Sequence, residues 1–150
     1  MPKQRQVSTT RVIAADRQAL FDLVADPRMH PVIDGSGTVT GAAEDLPDRL
    51  ADGVTFGMDM KIGASYSITN TVVEFEEGEL IAWRHFSGHR WRYAFRDVEG
   101  GTEVTETFDW TNAKSKIGLE LAGYPKRNLK GMRQTLIRLE ELATTGAVNG

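Results

Sequence analysis

From Val54 to Trp110 apolar side chains recur at every second position, and from Pro125 onward they recur at helical spacing. Strand side chains alternate between two faces, whereas helical ones return to a face every three to four residues. A chain that switches period in this way folds as a sheet with one apolar face and a helix that covers it. The alternation sorts the residues. Val54, Phe56, Met58 and Met60 fall on one face of a first strand, and Tyr66, Ile68, Asn70 and Val72 on one face of the next. Ile81, Trp83 and His85 lead into a turn, and His89, Trp91, Tyr93 and Phe95 return from it. A three-residue loop with Gly88 in the left-handed region pairs Trp83 with Trp91 and Ile81 with Tyr93, which keeps the arginines off the apolar face. After a turn at Gly100-Gly101, Val104, Glu106, Phe108 and Trp110 share the inner face.

Ahead of this block, Val7 to Ala14 reads as a strand rich in Val, Ile and Thr. Asp16 is the N-cap of a helix that carries Leu20, Phe21 and Val24 and stops before Pro27. A short helical turn follows over Arg28 to Val32, then a strand near Ser36 to Glu44 and a polar connection over Ala42 to Gly53. Ile117 to Tyr124 suits a turn or two of helix. The last helix carries Leu129, Met132, Leu136, Leu139 and Ala143 on its apolar stripe and ends at Gly146.

The chain's 150 residues suit a single domain over 1–150, with its core over about 7–144. There is no cysteine, so no disulfide framework, thiolate nucleophile or sulfur-built zinc site is available. Lys and Arg number 18 against 21 Asp and Glu, a balance that argues against nucleic acid as a partner. No apolar run is long enough to insert in a membrane, and none of signal-peptide length follows Met1 to Gln6, so the expected location is cytoplasmic.

The order of strand, two short helices, successive antiparallel strands and long C-terminal helix resembles the α+β helix-grip fold, here with a curved sheet of about seven strands. The chain resembles the polyketide cyclase/dehydrase and lipid-transport superfamily, the START-like or birch-pollen-allergen-like group also called SRPBCC. The resemblance rests on Asp26-Pro27, Asp34-Gly35-Ser36-Gly37, the Trp83-Arg84-His85-Phe86 to His89-Arg90-Trp91-Arg92-Tyr93 hairpin, Thr105-Glu106-Thr107-Phe108-Asp109-Trp110, and Gly123-Tyr124-Pro125. It implies a cavity for an apolar or amphipathic small molecule between sheet and C-terminal helix. Met58, Met60, Trp83, Trp91, Tyr93, Phe108, Trp110 and Met132 offer aromatic walls and adaptable thioethers, and Ile68 and Tyr124 join the expected lining. A packed core has the same composition.

Polar residues on the apolar face carry the candidate chemistry. Asn70, His85, His89 and Glu106 lie there, with His30 at the expected cavity mouth and Asp34 serving the Gly35 turn. A buried carboxylate is costly unless paired, so Glu106 is either an acid/base group with a raised pKa or half of a buried Glu–His or Glu–Arg pair. His85 is the second candidate for acid/base work. His85, His89 and Glu106 form a conceivable metal triad, but histidines at a hairpin end more often bond backbone, and no metal is expected. Gly35-Ser36-Gly37 with Gly41 misses the dinucleotide spacing and precedes a strand, so no cofactor is expected. Arg84, Arg90, Arg92 and Arg96 have outward parity and suit pairing with Glu103 or Asp109. Three function classes remain: a carrier of an apolar ligand, a cyclase or dehydratase, and a ligand-free interaction module such as a homodimer.

Overall fold

The computed structural model describes residues 4–42 and 46–146. Its sheet has seven antiparallel strands in the order β1-β7-β6-β5-β4-β3-β2. These are β1 (Gln6–Ile13), β2 (Val39–Ala42), β3 (Thr55–Ile62), β4 (Ala64–Glu76), β5 (Leu80–His85), β6 (Arg90–Val98) and β7 (Gly101–Asp109). Strands β2 to β7 follow one another as neighbours, and β1 closes the far edge by pairing with β7. The expected second strand is trimmed to Val39–Ala42, and Glu44, its anticipated end, lies outside the described residues.

Helix α1 (Arg17–Ala25) starts where the Asp16 carboxylate accepts from the Ala19 N–H, and it buries Leu20, Phe21 and Val24. Asp26 then caps a 3-10 turn at Pro27–Met29, which runs into α2 (His30–Ile33). Near the C-terminus come α3 (Lys116–Leu121) and the long α4 (Tyr124–Thr145), which ends on left-handed Gly146.

The β5–β6 hairpin has the odd register. Ile81 faces Tyr93, Trp83 faces Trp91, the His85 N–H bonds the His89 carbonyl at 2.9 Å, and Gly88 has φ 101°. Of the outward arginines, Arg92 and Arg96 reach the expected acids, whereas Arg90 pairs with Glu74 at 2.9 Å and Arg84 is exposed. Arg92 bridges Glu74 at 2.8 Å and Asp109 at 3.2 Å, and Arg96 reaches Glu103 at 3.0 Å.

Two features depart from simple alternation. The β4–β5 ladder slips between Val72 and Glu74, so β4 turns Val72 and Phe75 inward and Glu74 outward toward the arginines. Tyr66 has the parity of Ile68, yet it is 41% exposed, because that end of β4 runs past the covering helices.

Helix α4 does not span the whole sheet. It packs on β1 and β7, with α1, α2 and α3 beside it, and buries Met132, Thr135, Leu136 and Leu139. Leu129 and Ala143, also expected on its apolar stripe, are half-buried. An Arg11–Glu140 bridge of 2.8 Å fixes α4 to β1. The loop after α2 docks on α4 through Gly35, whose N–H donates to the Thr135 hydroxyl at 2.8 Å. A Cβ on Gly35 would stand 2.5 Å from the Gly131 carbonyl oxygen, so glycine is required there for close approach.

Candidate functional site

The concave face of the sheet is built in rows that the register defines. In one row Thr9, Glu106, Tyr93 and Ile81 stand opposite one another on β1, β7, β6 and β5. The next row holds Val7, Phe108, Trp91, Trp83 and Val72. Beyond it His85 faces Asn70, and Asn70 faces Phe56. Ile68 and Met58 pair in the row after that. Met58 is buried and Met60 half-buried.

Glu106 is 4% exposed, and its Oε1 has no hydrogen-bond partner. Desolvation is the main influence on it and pushes its pKa from 4.5 up to about 8. A hydrogen bond from Tyr93 pulls the other way, and the negative field of Asp34 adds to the rise. At neutral pH the carboxyl is therefore mostly protonated and can donate. Tyr93 is buried too, and its hydroxyl pKa is driven up by burial and by the adjacent Glu106.

This arrangement corrects the expected partners of Glu106. Neither a histidine nor an arginine pairs with it, because the residues opposite it on the two neighbouring strands are Thr9 and Tyr93. The His85–His89 pair lies two rows away, with Phe108, Trp91 and Trp83 between. Two rows are about 13 Å along the strands at roughly 3.4 Å per residue, which is too far for the three side chains to share one metal ion. No cluster able to hold a metal occurs among the described residues. The same separation keeps Glu106 and His85 from direct contact with each other.

The three histidines are held in place by local bonds. His30, at 8% exposure, bonds the Val24 carbonyl through Nε2 at 2.7 Å and stacks on Trp83 with centroids 4.7 Å apart. It is thus packed beneath the aromatic layer and not at a mouth. Burial lowers its pKa to about 4, so it is neutral and donates its Nε2 proton to that carbonyl. The Ser87 N–H donates to His85 Nδ1 at 3.2 Å, which makes that nitrogen an acceptor. Ser87 Oγ stands 2.7 Å from the same nitrogen and 3.1 Å from His89 Nδ1. The proton order is therefore His89 Nδ1–H to Ser87 Oγ, and Ser87 O–H to His85 Nδ1. Burial, and then the neighbouring His85, lower the His89 pKa to about 3.

Asn70, 4% exposed, leaves its Oδ1 without a partner on the same face. Around these polar atoms the aromatic residues touch one another. Trp83 stacks on Tyr93 at 5.6 Å, Phe56 meets Trp83 edge-on at 5.6 Å, and Phe108 lies 4.9 Å from Trp91 and 5.5 Å from Trp110. Met132 from α4 packs with Phe108 and Trp110. These side chains pack on one another, and open recesses occur at two places among the described residues. One, of about 380 Å³, is bounded by Arg5 and residues 114–118, and the other, of about 310 Å³, by Asp59, Met60 and residues 65–67. Tyr124 stands at the start of α4, half-buried, with the Arg127 guanidinium 4.2 Å from its ring centre.

Sequence reasoning named Tyr93 as lining but missed it as the partner of Glu106. The signal was present in the Gly100-Gly101 turn, which pairs Val98 with Gly101 and by counting sets Tyr93 opposite Glu106. It also missed Thr135, a buried polar residue within an apolar stripe.

Comparison with known proteins gives three findings. A family profile described as polyketide cyclase/dehydrase and lipid transport matches residues 4–144. "Uncharacterized protein Rv0088" of Mycobacterium tuberculosis (strain ATCC 25618 / H37Rv) is 41% identical over 147 residues, which cover 94% of this chain and 65% of that protein. The chain thus spans about 65% of the length of that relative, and the same holds for "Uncharacterized protein MT0096" of strain CDC 1551 / Oshkosh at 40% identity. Among solved structures, protein CV1439 from Chromobacterium violaceum superposes with TM-score 0.71 at 16% identity, covering 93% of this chain and 96% of that one. The AHSA1-like protein from Aeromonas hydrophila gives 0.61 at 21%, covering 88% and 92%. These two share the fold.

Proposed function

The chain belongs to the polyketide cyclase/dehydrase and lipid transport family, and from that premise we propose that it binds an apolar or amphipathic small molecule between the concave face and α4. The observation that carries this reading is a pair of buried, unpartnered oxygens, Glu106 Oε1 and Asn70 Oδ1, set on one face among aromatic and thioether side chains. A buried polar atom without a partner costs about 1–3 kcal/mol, and a ligand hydroxyl or carbonyl that meets it recovers that cost. Burial of about 300 Å² of apolar ligand surface contributes roughly 7 kcal/mol before ordering costs, so the walls supply affinity and the polar atoms orientation.

One observation favours a second reading, in which the ligand is also turned over. A carboxyl with its pKa near 8 is a proton donor at neutral pH, and the Tyr93 hydroxyl stands beside it. Glu106 would protonate a carbonyl oxygen in a cyclisation or dehydration, with Tyr93 in place of His85 as the second donor.

Intrinsic fluorescence tests the binding reading, since all three tryptophans, Trp83, Trp91 and Trp110, lie on the concave face. Titration with a panel of fatty acids and polycyclic phenols is expected to give saturable quenching at one equivalent. A flat titration across the panel contradicts the reading. Glu106→Gln separates the two readings, because it spares binding and abolishes turnover only where Glu106 is the acid.

A further inference from the structure

Four of the six large apolar residues that are exposed among the described residues lie toward one end of the molecule: Tyr66 at 41%, Phe86 at 64%, Ile117 at 66% and Leu121 at 84%. The fold brings them there. Phe86 sits in the β5–β6 turn, and the Ser87 carbonyl of that turn accepts the Lys114 N–H at 2.8 Å, which ties the hairpin to the segment leading into α3. Gly88 touches the Asn112 carbonyl so closely that no Cβ fits between. Tyr66 stands near the start of β4, beyond the Asn70–His85 pair and so toward the same end. Helix α3 buries none of its residues and leans on α4. Exposed apolar side chains set among polar groups at one end of a molecule mark an interaction surface.

Charge decides what it meets. Between positions 111 and 134 the chain holds six cations and one acid, although the whole protein carries a net charge of -3. The acid, Glu120, is engaged by Arg5 at 2.9 Å and by the Trp110 indole at 3.1 Å. Lys114, Lys126, Arg127 and Lys130 are exposed, and none of them forms an ion pair among the described residues. The 380 Å³ recess between Arg5, Lys114 and Lys116 opens beside Ile117. A second copy of the chain is a poor occupant, because two-fold pairing would set these cations against themselves. We infer that this end docks peripherally on an anionic bilayer, with Phe86, Ile117 and Leu121 entering the interface and the surrounding lysines resting on the lipid phosphates. The inference is independent of whether the concave face takes a ligand.

Vesicle sedimentation of the intact chain is the test. Binding is expected to phosphatidylcholine vesicles containing about 30 mol% phosphatidylserine and to fall steeply with salt. Vesicles of phosphatidylcholine alone should retain little. Lys126→Gln and Lys130→Gln should each weaken binding about fivefold. Ile117→Ser with Leu121→Ser should weaken it at least tenfold while circular dichroism stays unchanged, and Phe86→Ser supplies a second apolar variant on another element. Equal binding to both vesicle types, no binding at low salt, or indifference to these substitutions overturns the inference. So does a dimer in sedimentation velocity that Leu121→Ser dissolves, since the face would then be a self-contact.

Discussion

Tyr93 and Glu106 stand directly opposite each other on neighbouring strands, and both are buried on the concave face of the sheet. A carboxyl and a phenol in that position share an apolar surround that disfavours both of their anions. The consequence is a protonated acid in the centre of the fold at neutral pH.

Stability should register that proton. Glu106 holds it more tightly folded, at about 8, than unfolded, at 4.5, so its contribution is complete below pH 4.5 and declines as pH rises toward 8. His30 and His89 act in the opposite sense. Their folded values, about 4 and about 3, lie below 6.5, so stability falls as pH drops below 6.5. The melting temperature should peak near pH 6.5 and fall toward pH 8, and Glu106→Gln should remove the alkaline fall. Calorimetric scans across pH check this, and an unchanged alkaline limb in Glu106→Gln would refute it.

The Tyr93 hydroxyl holds the Glu106 pKa down against burial. Tyr93→Phe should therefore move the Glu106 titration further up, with the ring packing against Trp83 preserved. Carbon-detected NMR of the Glu106 carboxyl reads the shift, and a downward movement would contradict the pairing.

How far was this legible beforehand? Period-two spacing placed Glu106, Asn70 and Trp83 inward, and Gly88 chose the hairpin register, because both are local properties of a strand or turn. The choice between His85 and Tyr93 as neighbour of Glu106 depends on counting register through β5, β6 and β7 together, where an error of one residue changes the answer. The Val73 bulge had no sequence cue, since Val72 and Val73 are chemically alike and only pairing with β5 decides which faces inward. That α4 covers β1 and β7 while leaving Tyr66 exposed is a matter of helix placement, which an apolar stripe does not encode.

The Gly35 contact predicts a severe effect from a small substitution. In Gly35→Ala the new methyl would meet the Gly131 carbonyl oxygen at 2.5 Å and the Thr135 nitrogen at 2.6 Å, so the loop must lift from α4. A loss of about 2–3 kcal/mol is expected, against about 1–2 kcal/mol for Thr135→Val, which removes two hydrogen bonds, from the Gly35 N–H and to the Gly131 carbonyl, without a clash. Urea unfolding of the two variants measures both, and a neutral Gly35→Ala would show that the loop is not docked.

On the outer face Glu74 accepts from Arg90 at 2.9 Å and from Arg92 at 2.9 and 2.8 Å. Glu74→Ala leaves two half-buried guanidinium groups short of an acceptor and should cost about 2 kcal/mol. Adding Arg92→Ala should cost less than the sum of the single changes, a coupling that a double-mutant cycle measures.

The most direct test of ligand binding is native mass spectrometry of protein purified gently from its own host, followed by denaturing extraction. The account predicts a stoichiometric organic adduct that Glu106→Ala together with Asn70→Ala weakens. A bare protein mass, with no thermal shift across lipids, flavonoids and polyketides, would contradict it and leave the concave face as a packed core.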